Sequence, residues 1–112
     1  MTGFDAWFET ATGYRPMPWQ LELGEASGCH NRTIRIPTGF GKTAGVLASW
    51  TYHRVHRRDS SWPARLVWCL PMRVLVEQTR AEAVRLMQRL DLYCESDQAR
   101  AERVSVHLMM GG

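Results

Sequence analysis

The sequence predicts an α/β fold, a parallel sheet flanked by helices, and three observations carry that expectation. Residues 32–36 (R-T-I-R-I) alternate polar and β-branched side chains, and residues 64–70 (A-R-L-V-W-C-L) form a near-continuous apolar run of the kind a sheet covered on both faces requires. Between them, two closely spaced glycines open a helical run, and the two strands start 32 residues apart, the spacing of a βαβ unit. The full expected order is α-α-β-α-β-α-β within a single domain over 1–112.

Each element has a local reason. Phe4 to Thr10 places Phe4, Trp7 and Phe8 on one helical face, and Gly13 is available to stop the helix. Pro18 suits the first position of a second helix, Trp19 to Ala26, where its missing N–H would be unpaired anyway. Ser27, Gly28 and Asn31 lead to the first strand. From Lys42 a helix runs without Gly or Pro, apart from Gly45, until the loop Arg57-Arg58-Asp59-Ser60-Ser61. Pro71 closes the second strand. Val74 to Leu90 is then amphipathic, with Val76, Ala83, Met87 and Leu90 inward and Glu82, Arg85 and Arg89 outward. A polar stretch from Asp91 to Arg100 leads to a third strand, Val104 to Met109, followed by Gly111-Gly112.

The segment Ile36-Pro37-Thr38-Gly39-Phe40-Gly41-Lys42-Thr43 carries the chemistry. Gly39 and Gly41 permit positive φ and a close backbone approach to an anion, so that successive N–H groups of Thr38, Gly39, Phe40 and Gly41 can point at a phosphate. Lys42 would reach the β- and γ-phosphates, and the Thr43 hydroxyl would sit on Mg²⁺. A strand before and a helix after are the setting such a loop needs, because the helix supplies the positive end of its dipole. The expected ligand is therefore ATP with Mg²⁺, and Lys42 and Thr43 are the expected catalytic participants. The strict pattern has Gly or Ala where this chain has Ile36, so the match rests on P-T-G-x-G-K-T.

Composition narrows the classes. A chain of 112 residues, 45% hydrophobic, can bury a core without disulfides or metal. Cys29, Cys69 and Cys94 form no C-x-x-C or zinc pattern, and Cys69 reads as a small buried hydrophobe. The four histidines show no metal-protease spacing, so no metal-dependent nuclease site is expected. The amino terminus lacks a signal-like apolar core and no run approaches a membrane span, which predicts a soluble, cytoplasmic chain with no membrane partner. A net charge of +3 is compatible with nucleic acid but does not demand it. The cluster Arg54, His56, Arg57 and Arg58 reads as cations complementing a helix carboxyl end rather than as a DNA patch.

Three motifs then stand in order: Gly13-Tyr14 with Pro16-Met17-Pro18-Trp19-Gln20, P-T-G-x-G-K-T, and Leu70-Pro71-Met72-Arg73-Val74-Leu75-Val76-Glu77-Gln78. Together they resemble the opening of a superfamily 2 helicase of the DEAD/DEAH type. The start Phe8-x-x-Ala11-Thr12-Gly13-Tyr14 with Pro-Trp-Gln is most similar to the helicase-nuclease of type I CRISPR interference. Restriction-system helicase subunits share the same three motifs.

The resemblance implies the first part of a RecA-like lobe, truncated before the Asp-Glu strand. It implies that later strands insert between the phosphate-loop strand and the second strand, so that the three strands here would not form one continuous sheet. It also implies that Gln20 reads adenine through its paired donor and acceptor. Tyr14 could stack on the base, although by itself it reads better as a core residue. It further implies that Pro71, Arg73, Gly111 and Gly112 contact single-stranded DNA, and that a CRISPR effector complex and the rest of a helicase chain are partners. Hydrolysis in that family needs an adjacent Asp-Glu pair and arginines from a second lobe. None of the eleven acidic residues forms such a pair, so the chain reads as the first part of a longer motor protein. Two other classes are a small P-loop nucleotide-binding protein and a non-catalytic helicase-like decoy.

Overall fold

The computed structural model describes residues 3–37, 41–95 and 103–109. Among them the architecture is helical: α1 (Phe4–Thr12), α2 (Pro18–Gly24), α3 (Lys42–Thr51) continuing into a π turn (Tyr52–His56), and α4 (Arg73–Arg89). α3 is the centre, with α1, α2 and α4 all packed against it.

The helix expectations from sequence hold closely, because each start and stop is a local event. Phe4, Phe8 and Ala11 recur along one buried stripe of α1, and Asp5 lies in its first turn, favourable to the dipole. Gly13 ends the helix at φ 83°, its N–H donating to the Glu9 carbonyl at 2.7 Å. Pro18 opens α2, and the Gln20 side chain reaches back to accept from the Met17 N–H at 2.7 Å, half of a capping box. Gly24, its last residue, lies against the Phe4 ring so tightly that a Cβ there would overlap the ring.

Small residues on α3 let three helices approach it. Ala44, Gly45, Ala48 and Ser49 are buried alongside Leu47, Trp50 and Thr51. The buried hydroxyls do not go unpaired: Ser49 donates back to the Gly45 carbonyl at 2.7 Å and Thr51 to the Leu47 carbonyl at 2.8 Å. The Trp7 indole N–H donates to the Thr51 hydroxyl at 3.1 Å, tying α1 to α3. After Thr51 the helix widens, with the Arg57 N–H donating to the Tyr52 carbonyl at 2.9 Å, five residues back.

α4 buries Ala83, Leu86 and Met87, with Leu90 following, while Val76 and Glu82 are half-buried and Arg85 and Arg89 exposed. The core is thus Phe4, Phe8, Leu47, Ala48, Trp50, Trp62, Leu86 and Met87 with their smaller neighbours. Each large apolar side chain removed from water in this way contributes about 1.5–3 kcal/mol.

The sheet is the expectation that fails. Among the described residues there is no β-strand, so the parallel α/β sheet and the order α-α-β-α-β-α-β do not describe this chain. Residues 32–36 line a groove against α2 instead of pairing with a neighbouring strand, and Arg32, Thr33 and Arg35 are exposed. In 64–70, where an apolar run predicted two covered faces, Val67 is 80% exposed and Cys69 is exposed, not buried. The third segment makes one parallel bridge, Tyr93 to Val104, held by the Cys94 N–H on the Val104 carbonyl at 3.0 Å and the Val104 N–H on the Leu92 carbonyl at 2.7 Å.

The physical reason is that strand-like patterning supplies faces, whereas a strand exists only when a neighbour accepts and donates along its length. Here the apolar faces of the helices close on one another, and among the described residues no hydrogen-bonded ladder joins the three β-patterned segments. Cys94, not Cys69, is the buried thiol.

Candidate functional site

The start of α3 is built from Gly41, the first turn of the helix and one side chain delivered from α2. Gly41 is its N-cap at φ 75° and ψ 36°, the left-handed region that a β-carbon disfavours. Among the described residues no side-chain cap bond is made at this N-cap, where the leading N–H groups form the positive end of the helix dipole. The first intrahelical bond runs from the Gly45 N–H to the Gly41 carbonyl at 2.9 Å.

Lys42 is exposed and, among the described residues, no carboxylate pairs with it; Thr43 is half-buried. An exposed ammonium at the amino end of a helix is chemistry suited to a polyphosphate. Thr38, Gly39 and Phe40 of the same motif lie outside the described residues.

Gln20 is drawn onto this turn. Its Nε2 donates to the Gly41 carbonyl at 3.0 Å while its Oε1 accepts from the Met17 N–H at 2.7 Å, and the side chain is 2% exposed. That amide orientation is the one that satisfies both partners, since the flipped amide would set donor against donor. Both of its functional atoms are therefore engaged by main chain.

Trp19 packs beside it, its ring against Gly45 where a Cβ would come within 2.6 Å of the indole. Nothing in the sequence pattern singled out this contact, although an isolated glycine inside a helical run is the signal for a close approach.

The other expected site residues among those described are Tyr14, Pro71 and Arg73. Tyr14 is 76% exposed and so is not the core residue it resembled; the Thr12 hydroxyl receives its backbone N–H at 3.1 Å. Pro71 is exposed ahead of α4 and Arg73 is the exposed first residue of that helix, whose N-cap, Met72, contributes no side-chain hydrogen bond. No described hydrogen bond or ion pair joins Pro71 or Arg73 to Gln20 or to Gly41–Thr43. Gly111 and Gly112 lie outside the described residues.

The basic cluster does sit at the far end of α3. The Arg54 guanidinium donates to the Trp62 carbonyl at 3.1 Å, and His56 stacks on Tyr52 with ring centroids 5.5 Å apart and lies 4.7 Å from Trp7.

His53 is a residue that sequence reasoning passed over. Its ring is buried, Nε2 lies 2.7 Å from the Gly24 carbonyl and donates to it, and the ring stacks on Trp62 at 4.2 Å and 10°. Burial pushes its pKa below the ordinary histidine value, and Arg57 pushes the same way; the Gly24 carbonyl and Asp59 oppose them without prevailing.

Among the described residues no group of three or more His, Cys, Asp or Glu could hold a metal ion. No helix among them is long and apolar enough to cross a membrane.

No protein-family model, curated protein or solved structure matches the chain. The likeness to superfamily 2 helicases therefore stands on the three sequence motifs alone.

Proposed function

We propose that this chain binds ATP and Mg²⁺ at the amino end of α3 and serves as the nucleotide-holding segment of an ATP-dependent DNA helicase acting in CRISPR interference in the cytoplasm. Lys42 neutralises the terminal phosphates, the amides at and after Gly41 hold the phosphate oxygens, and the Thr43 hydroxyl takes one position on Mg²⁺. The observation that carries the reading is the coincidence of P-T-G-x-G-K-T with a left-handed Gly41 capping a helix whose first turn has no side-chain cap. Pro71 and Arg73 are the proposed contacts to single-stranded DNA, supported by the order of the motifs and the exposure of both residues.

A second reading is a non-catalytic helicase-like decoy that binds a CRISPR effector complex or its DNA. The two readings differ in nucleotide dependence, since a decoy engages its partner without ATP.

Calorimetry with Mg·ATP tests the site. Lys42→Ala removes a charge-assisted contact worth about 1.5–3 kcal/mol, so affinity should fall at least about tenfold while the thermal midpoint stays put, the side chain being exposed. Equal affinity of the variant and the natural chain for ATP would remove the basis for the proposal.

A further inference from the structure

We infer that Gln20 is a positioning residue for the phosphate-holding turn and not a reader of the adenine base. The inference rests on the nucleotide site proposed above, but it is carried by a different observation. Reading adenine takes one amide N–H and the amide oxygen together, directed outward at the edge of the base. In this chain one N–H of Nε2 is spent on the Gly41 carbonyl at 3.0 Å, Oε1 is spent on the Met17 N–H at 2.7 Å, and the side chain is 2% exposed. Releasing either atom would leave a main-chain group at α2 or α3 without that partner.

The same bond explains what the amide does. The Gly41 carbonyl also receives the Gly45 N–H at 2.9 Å, the first bond of α3, so Gln20 grips the acceptor that defines where the helix begins. Gly41 holds φ at 75°, and the Gln20 Nε2 occupies the space beside it, 2.6 Å from where a Cβ would stand.

At the opposite end of α2 the His53 ring donates to the Gly24 carbonyl at 2.7 Å. α2 is thereby pinned to the α3 region at both its ends. The Trp19 ring fills the gap over Gly45 between the two pins. A short helix held in this way is a brace that fixes Gly41 and the first turn of α3 before any anion arrives, which lowers the ordering cost of binding there.

The test compares the natural 112-residue chain with Gln20→Met, using ATP, GTP and inorganic tripolyphosphate as probes. A brace predicts that all three affinities fall by a similar factor, about tenfold, with the ATP-to-GTP ratio unchanged. A base reader predicts loss of that ratio with tripolyphosphate affinity intact, and this result would overturn the inference. Unchanged binding of all three probes would overturn it as well.

Should the natural chain bind none of them, the nucleotide proposal fails on its own, and amide hydrogen exchange still decides the brace. The Gly45 amide should then exchange about tenfold faster in Gln20→Met than in the natural chain, with the Met87 amide in α4 unchanged; equal exchange at Gly45 counts against it. Gln20→Glu keeps the acceptor for the Met17 N–H and hence the start of α2, and gives the same exchange readout if the methionine variant does not fold.

Discussion

Gly45→Ala sets two opposing effects against each other at the centre of the molecule. In an exposed helix interior the change stabilises by about 1 kcal/mol, because alanine loses less conformational freedom than glycine on folding. Here the added carbon would stand 2.6 Å from Cη2 of Trp19 and 3.1 Å from both Cζ3 of Trp19 and Cγ of Gln20. A contact that short requires movement, and the atoms in the way belong to a rigid indole and to a buried amide whose two ends are already hydrogen-bonded.

Overpacking of this kind costs about 1–3 kcal/mol, which outweighs the gain in helix propensity. The net expectation is a loss of about 1 kcal/mol, seen as a thermal midpoint lowered by about 4–8 °C in a domain of this size. The assay is thermal and urea unfolding of four proteins: the natural chain, Gly45→Ala, Trp19→Leu and the double variant.

Once the indole is gone, the 2.6 Å contact goes with it and only Cγ of Gln20 at 3.1 Å remains close, so the propensity gain should outweigh the crowding. Gly45→Ala is thus expected to destabilise the natural chain and to stabilise Trp19→Leu, a change of sign within one cycle. A midpoint that rises with Gly45→Ala in the natural background, or that shifts equally in both backgrounds, refutes the packing of α2 on α3 described above.

The remaining predictions concern pH and turnover. Because burial holds the His53 pKa below its ordinary value, the unfolded chain takes up a proton in acid before the folded one does. Stability should therefore fall as pH drops below about 6.5, level off once the lowered folded value is passed, and receive nothing from this group at alkaline pH. His53→Gln should flatten that part of a urea-midpoint profile, and an unaltered slope would show that His53 does not set it.

For the proposed nucleotide site, the 112 residues by themselves should release no phosphate from ATP with or without single-stranded DNA, because no adjacent Asp-Glu pair is present among them to position water. Turnover that vanishes in Lys42→Ala would overturn this expectation.

The sequence by itself determined the helices and the left-handed residue that opens α3, since those are decided by neighbours along the chain. Gly13 stops α1 with a left-handed residue, Pro18 starts α2 where its missing N–H costs nothing, and Gly41 adopts the positive φ expected just before Lys42. The amphipathic period of α4 was also legible, with Ala83, Met87 and Leu90 inward as the spacing required.

Tertiary structure alone decided the rest. The alternation in 32–36 and the apolar run in 64–70 describe what a strand could bury, but a strand needs a partner ladder from elsewhere in the chain, and no local pattern reports whether one is supplied. Likewise nothing within a few residues of Gln20 announces that its amide ends on Gly41, twenty-one positions away, or that His53 reaches the Gly24 carbonyl at the end of the same short helix. Hydrogen bonds between distant segments depend on how helices close around a common core, and that closure is a property of the whole chain.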